Sequence, residues 1–224
     1  IRQSQVVHTE TLALPAQPGA GLQGADPLNL FVVVETGDHH VSIIDGDRLE
    51  RLFRFPSRYA LHGGPKFSPD GRFVYFASRD GWISKFDLYH LVVVAEIRAG
   101  LNTRNAAVSS DGKWLLVANY LPHNLVVLDA ADLSLVKIIP ARNAAGDQTS
   151  RVSAVYDAAP RKSFIAAFKD MPETWEISYD PQAEPFADGL VHDYLAREGY
   201  FQPVMLRPRR ILLDDIVDDF FFTQ

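Results

Sequence analysis

Short apolar runs alternate with polar turns along the chain, and no long segment has the period of an amphipathic helix. The apolar runs, such as residues 91–95 and 125–128, have the length of strands and are rich in β-branched or aromatic residues. Asp-Gly turns at residues 70–71 and 111–112 separate some of them. No run of 18 apolar residues is present that could cross a bilayer. The pattern predicts an all-β fold without a membrane span.

The same pattern recurs at a fixed interval. Residues 31–45, 73–87 and 115–129 align, and their closing aspartates follow one another every 42 residues. A fourth copy covers residues 164–178, and a fifth begins at residue 219. A period of about 40–45 residues with four strands per repeat is typical of a β-propeller blade; the alternative is a sandwich of unrelated strands. We predict a β-propeller of four-stranded antiparallel blades, here a partial ring of about four to five blades.

Composition adds a domain boundary and several exclusions. Residues 1–28 are rich in Gly, Pro, Gln and Ala, which is typical of a linker, so we expect another domain before them and a propeller domain over residues 29–224. A net charge of −6 argues against nucleic acid or an anionic membrane as the main partner. The absence of cysteine excludes disulfides and covalent attachment of a c-type haem within these residues.

Three candidate ligand-binding residues precede the innermost strands of consecutive blades. His62 and Arg104 lie six and five residues before the serine of their turns, and Arg151 has the matching place in the next blade. All three should face one channel mouth, and the two glycines after His62 should leave room for a flat ligand. A histidine beside two guanidiniums suits a ligand with a metal and several carboxylates. The alternatives are a hydrogen-bonded turn histidine and arginines paired with aspartates such as Asp80 or Asp111.

Further candidates lie in the hairpins between the second and third strands of the blades, which share one register and therefore one rim. They are Arg79, Tyr120, His123 and Lys169. His192 lies in a long insert, and such inserts often cover a propeller site. The adjacent acids at 214–215 and 218–219 are expected to be solvated. No Ser-His-Asp order, Gly-rich phosphate loop or zinc-ligand spacing is present in the sequence.

Several segments, weak singly and specific as a set, resemble the haem d1 propeller family. They are residues 35–46, 59–67, 78–82, 102–105 and 118–123. The family comprises the catalytic domain of cytochrome cd1 nitrite reductase and related haem d1 assembly proteins. The resemblance implies an eight-bladed periplasmic propeller with haem d1 or dihydro-haem d1 across the channel mouth. It further implies that His62 is the axial ligand of the iron and that nearby cationic and aromatic side chains bind the macrocycle. These side chains are Arg79, Arg104, Tyr120, Arg151 and Lys169.

The resemblance also implies a reaction. The dehydrogenase members of the family act in haem d1 biosynthesis, where one propionate of dihydro-haem d1 is oxidised to an acrylate. His123 or His192 would serve as the base, and iron and macrocycle would accept electrons. A c-type haem would belong to a domain ahead of this chain, and nitrite reductase and other haem d1 assembly proteins would be partners. Three alternatives remain: a nitrite reductase domain, a non-catalytic haem d1 carrier, and an interaction scaffold that binds no tetrapyrrole.

Overall fold

The computed structural model describes residues 14–186 and 204–222, and almost all of its regular structure is antiparallel β-sheet. The strands begin and end where the apolar runs meet polar turns. They are β1 (Leu30–Glu35), β2 (His40–Asp45), β3 (Arg51–Pro56), β4 (Lys66–Phe67), β5 (Phe73–Ala77), β6 (Trp82–Asp87), β7 (Val92–Arg98), β8 (Asn102–Val108), β9 (Trp114–Leu121), β10 (Asn124–Asp129), β11 (Leu135–Pro140), β12 (Val152–Ala158), β13 (Ser163–Phe168), β14 (Glu173–Ser178) and β15 (Pro208–Leu212).

These strands form four sheets in which spatial order follows chain order. Blade 1 contains β1–β3, blade 2 contains β4–β7, blade 3 contains β8–β11 and blade 4 contains β12–β15. Every pair of neighbouring strands within a blade is antiparallel. The prediction of antiparallel propeller blades is confirmed. The described residues of blade 1 supply three strands, which correspond to the second, third and fourth strands of the other blades.

The fifth repeat is the exception. Residues 213–222 lie within the described part of the chain and contain no strand. The apolar run that begins at residue 219 therefore does not start a fifth sheet in this structure. Part of this segment instead passes along blade 4, where the Ser153 hydroxyl donates to the carbonyl oxygen of Val217 at 3.3 Å.

The interval of 42 residues has a local cause. Each closing aspartate ends the third strand of its blade and caps the turn that follows, because a carboxylate accepts backbone N–H groups two residues ahead. The carboxylates of Asp45, Asp87 and Asp129 each accept such a bond at 2.8 Å. The same turn is therefore encoded three times by the same residue at the same place in the blade.

The hydrophobic core is divided into three clusters, one between each pair of neighbouring blades. Alternation along the strands produces this division, since successive side chains point to opposite faces of a sheet. In blade 3, Leu115 and Val126 pack towards blade 2, whereas Leu116 and Val127 pack towards blade 4. A single four-stranded sheet cannot bury both of its faces alone, so the stacking of the blades supplies the core.

A buried lysine also joins blades 2 and 3. The Lys85 ammonium donates to the carbonyl oxygens of Ala130 and Ala131 at 2.9 and 2.7 Å and lies 3.9 Å from the ring centroid of Phe73. Burial lowers the pKa of Lys85 to about 8. Two carbonyl partners and an aromatic face compensate for much of the lost hydration of this cation.

Part of the segment predicted as a linker is packed. Residues 20–22 form a short 3-10 helix, and Leu22 is buried in the core cluster between blades 1 and 2. Gly19 N–H donates to the carbonyl oxygen of Tyr89 at 2.8 Å. Residues 19–25 thus cover blade 2 despite their linker-like composition, and residues 1–13 lie outside the described part. Among the described residues, no helix is long and apolar enough to cross a membrane.

Candidate functional site

Connectors and hairpins of the blades meet at one rim of the propeller. In blades 2 and 4, the connector into the first strand is hydrogen-bonded to the hairpin between the second and third strands. His62 N–H donates to the carbonyl oxygen of Ala77 at 2.9 Å, and Lys169 N–H donates to that of Arg151 at 3.0 Å. Candidate residues from both sets of loops are therefore neighbours at this rim.

The imidazole of His62 lies between a carbonyl oxygen and a guanidinium. Its Nδ1 is 2.9 Å from the carbonyl oxygen of Arg104, which can only accept, so we assign the ring proton to Nδ1. Nε2 then carries the lone pair, and Nη1 of Arg104 lies against the ring, 2.5 Å from Nε2 and 3.1 Å from Nδ1. Burial lowers the pKa of His62, and the positive charges of Arg104 and Arg79 act in the same direction. The result is a neutral imidazole whose Nε2 is suited to bind a metal.

The two glycines after His62 have different roles. Gly63 has a φ of +83°, and a Cβ there would lie 2.9 Å from the carbonyl oxygen of Arg104, so this position allows β8 to approach. Gly64 has a φ of +69°, and a Cβ there would meet nothing within 4 Å. The expectation that both glycines leave room for a flat ligand therefore applies to Gly64 alone. Beside it is a cleft of about 290 Å³, lined in part by His62 and Phe76.

Arg79 and Arg104 differ from most arginines of the chain in their partners. Neither forms an ion pair with any residue in 14–186 or 204–222, although Arg104 is half-buried. Eight other arginines of the described residues each have a carboxylate partner within 4 Å: Arg48, Arg54, Arg58, Arg72, Arg151, Arg161, Arg209 and Arg210. The two guanidiniums next to His62 are thus available to an external carboxylate.

Arg151 belongs to the paired group. Its guanidinium binds both carboxylate oxygens of Asp170, at 2.6 Å from Nη2 and 3.0 Å from Nε, and its centre lies 5.4 Å from the ring centroid of Tyr120. Tyr120 and Arg151 are therefore brought together, as the shared rim implied. Arg151 therefore matches the alternative interpretation, in which a rim arginine is the structural partner of a blade aspartate. Here that aspartate is Asp170.

The remaining candidates form a second group on blades 3 and 4. The Lys169 ammonium lies 2.6 Å from a carboxylate oxygen of Asp218, and Nδ1 of His123 lies 2.9 Å from the Thr149 hydroxyl oxygen. Asp218 is exposed, as expected, and it is also the ion-pair partner of a candidate residue. His192 lies outside the described residues. His62, Arg79 and Arg104 thus make one group, while Tyr120, His123, Arg151 and Lys169 lie around the Asp170 hairpin.

Comparison with known sequences identifies the family of this chain. Residues 25–191 match the family model of the cytochrome D1 heme domain. The chain belongs to this family. A dihydro-heme d1 dehydrogenase from Pseudomonas aeruginosa is 60% identical over 223 residues, which cover 100% of this chain and 40% of that protein. Protein NirF from Stutzerimonas stutzeri is 35% identical over 70% of this chain and 40% of its own length. A nitrite reductase from the same organism is 30% identical over 67% of this chain and 26% of its own length.

Solved structures agree with the fold of this cytochrome d1 haem domain. The structure of "dihydro-heme d1 dehydrogenase NirN in complex with DHE" matches with a TM-score of 0.82 at 58% identity, over 98% of this chain and 42% of that one. The β-propeller domain of Cps50 (Swd1) from Myceliophteria thermophila gives a TM-score of 0.53 at 15% identity, over 63% of this chain and 47% of that one, and supports the fold alone. The chain spans about two fifths of the length of its dehydrogenase relative.

Sequence reasoning about this haem domain missed one cluster near His62. The Tyr156 hydroxyl donates to a carboxylate oxygen of Asp219 at 2.9 Å, and the Lys66 ammonium lies 5.6 Å from the Tyr156 ring centroid. Lys66 is on blade 2 and Tyr156 is on blade 4, so their proximity depends on the stacking of the blades. No motif along the chain marks it, and Asp219 is exposed, as expected, besides accepting this hydrogen bond.

The ion pair between Arg151 and Asp170 should shift the pH at which the Asp170 carboxyl titrates. The hydrogen bonds from Arg151 lower the pKa of Asp170 to about 2. A lowered carboxyl pKa stabilises the folded state above the unfolded pKa of about 4, and this contribution is lost as the pH falls through about 2. In an NMR titration, the Asp170 carboxyl carbon should titrate near pH 2, and in Arg151→Met it should titrate closer to 4. A parent midpoint near 4 would mean that the pair does not form in solution.

Proposed function

We propose that this chain binds haem d1 or dihydro-haem d1 at the rim of its propeller, with Nε2 of His62 as the axial ligand of the iron. One observation carries the proposal: His62 is a neutral imidazole with its lone pair on Nε2, next to two guanidiniums without carboxylate partners. An iron tetrapyrrole with carboxylate side chains meets both requirements, since it needs an axial nitrogen and anion-binding groups around its edge.

The donor set fits such a ligand better than it fits a bare metal ion. In residues 14–186 and 204–222, no three His, Cys, Asp or Glu side chains cluster closely enough to hold a metal ion. A tetrapyrrole brings four nitrogen ligands of its own, so one histidine is enough. The hydrogen bond from Nδ1 to the carbonyl oxygen of Arg104 fixes the orientation and the tautomer of that histidine. The open space beside Gly64 gives one face of a flat ligand access to the backbone.

The reaction that we propose for the whole protein is the one named in its dehydrogenase relative. Oxidation of a propionate to an acrylate removes two electrons and two protons from adjacent carbons. When bound, the iron tetrapyrrole supplies the conjugated system through which electrons can leave, and a further redox partner has to take them. Arg79 and Arg104 would hold and orient the carboxylates. His123 and His192 remain the proposed bases. We further propose that the protein is periplasmic and that nitrite reductase or other haem d1 assembly proteins are its partners.

A single assay separates the alternatives. The full-length protein is incubated without oxygen with dihydro-haem d1 and an electron acceptor, and both the visible spectrum and the mass of the extracted tetrapyrrole are followed. We expect a bound spectrum and a product lighter by two hydrogen atoms. Binding without a mass change would favour a carrier, and no binding would leave an interaction scaffold. Reduction of added nitrite by the loaded protein would favour a nitrite reductase.

The two arginines that were both expected to bind carboxylates should now behave differently. Arg104 has no carboxylate partner among the described residues, whereas Arg151 is already bound to Asp170. Replacing Arg104 by Met should weaken binding of dihydro-haem d1 by about 1.5–3 kcal/mol, the typical contribution of a hydrogen bond to a charged group. Arg151→Met should change the affinity by less than about 1 kcal/mol. Absorption titrations measure both, and equal losses would show that Arg151 leaves Asp170 for the ligand.

A further inference from the structure

Lys66 occupies an unusual place for a lysine. It begins β4, the first strand of blade 2, four residues after His62, and it is half-buried. Its ammonium lies 5.6 Å from the ring centroid of Tyr156 on β12 of blade 4. Since β8 contacts both β4 and β12, the Lys66 side chain extends across the inner strand of blade 3. The cation therefore lies on the inner wall of the propeller, on the same connector as the proposed iron ligand.

The surroundings of Lys66 contrast with those of two other lysines. Burial lowers the pKa of Lys66, Lys85 and Lys137 alike. The Lys85 ammonium has two carbonyl acceptors, and the Lys137 ammonium donates to the carbonyl oxygen of Leu206 at 2.8 Å. The Lys66 ammonium makes no hydrogen bond and no ion pair within residues 14–186 and 204–222. Its three N–H donors are thus available to a partner from outside these residues.

The nearest acid does not supply that partner. The negative charge of Asp219 favours the charged form of Lys66, but its carboxylate is not within ion-pair distance and accepts the Tyr156 hydroxyl instead. Partial burial of an ammonium disfavours its charged form, and an anion at this place would offset that effect. The face of the Tyr156 ring meanwhile attracts the cation and holds the long side chain in place.

We propose that Lys66 binds one carboxylate of the tetrapyrrole, as a cationic contact additional to Arg79 and Arg104. This inference rests on the proposed function, because it takes the ligand at His62 to be a polycarboxylate. Arg104 contacts His62 from β8, whereas Lys66 extends from β4 to the ring of Tyr156. The two cations therefore reach the ligand from different blades, and together they favour macrocycles with carboxylates on more than one side.

The test uses two ferric probes with the full-length protein. Ferric coproporphyrin carries four carboxylates, and its tetramethyl ester carries none; both are titrated in the same dilute detergent. Replacing Lys66 by Met keeps a long flexible side chain and removes the charge. We expect the dissociation constant of the tetra-acid to rise about 10- to 100-fold and that of the ester to stay within about threefold. Lys66→Arg should restore most of the affinity, and the spectrum of the bound iron should not change, because His62 is retained.

Lys113→Met is the matched control, since the Lys113 side chain is 72% exposed on a turn and should leave both titrations unchanged. Equal losses for tetra-acid and ester in Lys66→Met would overturn the inference in favour of a purely structural lysine. Unchanged affinity for the tetra-acid would overturn it as well. If the parent protein binds neither probe nor dihydro-haem d1, the proposed function fails and the inference fails with it. If the parent protein binds the probes but Lys66→Met does not selectively weaken binding of the tetra-acid, only the inference about Lys66 fails.

Discussion

Replacing His62 by Ala should change the visible spectrum of bound haem d1 and weaken binding more than any other single substitution at the rim. In the proposed complex, the bond from Nε2 to iron would set the electronic state of the metal, and its loss should therefore alter the spectrum. His62 is half-buried in a connector rather than in a core cluster, so the variant should still fold. The measurement is an absorption titration of the full-length protein with haem d1.

Two controls make the His62 result specific. His90 is also half-buried, but its Nδ1 lies 3.1 Å from the Asp87 carboxylate in a turn after the third strand of blade 2. His90→Ala should retain the parent spectrum and affinity for haem d1. Free imidazole added to His62→Ala should restore the spectrum, because it can occupy the vacated axial position. A parent-like spectrum in His62→Ala without imidazole would make His62 a turn histidine and remove the basis of the ligand assignment.

Replacing Asp87 by Ala should lower the free energy of unfolding by about 3–5 kcal/mol, the typical cost of removing one member of a buried ion pair. The Asp87 side chain is fully buried, with its carboxylate 2.7 Å from Nη2 of Arg72. It also accepts the backbone N–H of Tyr89 at 2.8 Å and contacts His90. Its loss would leave the Arg72 guanidinium, which is only 13% exposed, without its charged partner. Denaturant unfolding followed by circular dichroism measures the change.

Asp111→Ala is the control for the buried pair. Asp111 also caps a turn, accepting Lys113 N–H at 3.0 Å, but its side chain is 36% exposed and its cationic neighbour is solvated. Asp111→Ala should lower the free energy of unfolding by about 1 kcal/mol. Similar losses for the two variants would show that the Asp87 carboxylate contributes only as a turn cap. The repeat of 42 residues would then reflect turn geometry alone.

The fold could be predicted from the sequence because its determinants are local. Strand-length apolar runs and a capping aspartate every 42 residues encode each blade separately, and stacking follows from alternation along the strands. Residues 220–222, the apolar run with which the fifth repeat begins, form no strand. Composition was a poorer guide. It failed at residues 19–25, because linker-like composition does not reveal that Leu22 packs into a core.

The site was less predictable because its chemistry depends on pairing across blades. Arg104 and Arg151 have equivalent places in the repeat, yet only Arg151 has an aspartate opposite it, in the hairpin of its own blade. Gly63 is needed because β8 of blade 3 packs so closely against it that a Cβ would not fit. This contact between blades 2 and 3 is not visible in the sequence. Lys66 and Tyr156 are 90 residues apart and meet only because blade 3 places blades 2 and 4 on its two sides.

The contact between Arg104 and Nε2 of His62 should separate the kinetics of ligand capture from those of retention. In the proposed complex, an iron bound to Nε2 would displace Nη1, which lies 2.5 Å from that nitrogen, so association would include the movement of this guanidinium. The displaced guanidinium would then lie beside the carboxylates of the same ligand and slow its escape. The affinity lost in Arg104→Met should accordingly reside in a faster dissociation rate, while the association rate rises. In that case Arg104 of the free protein would reversibly cover the nitrogen that is proposed to bind the iron.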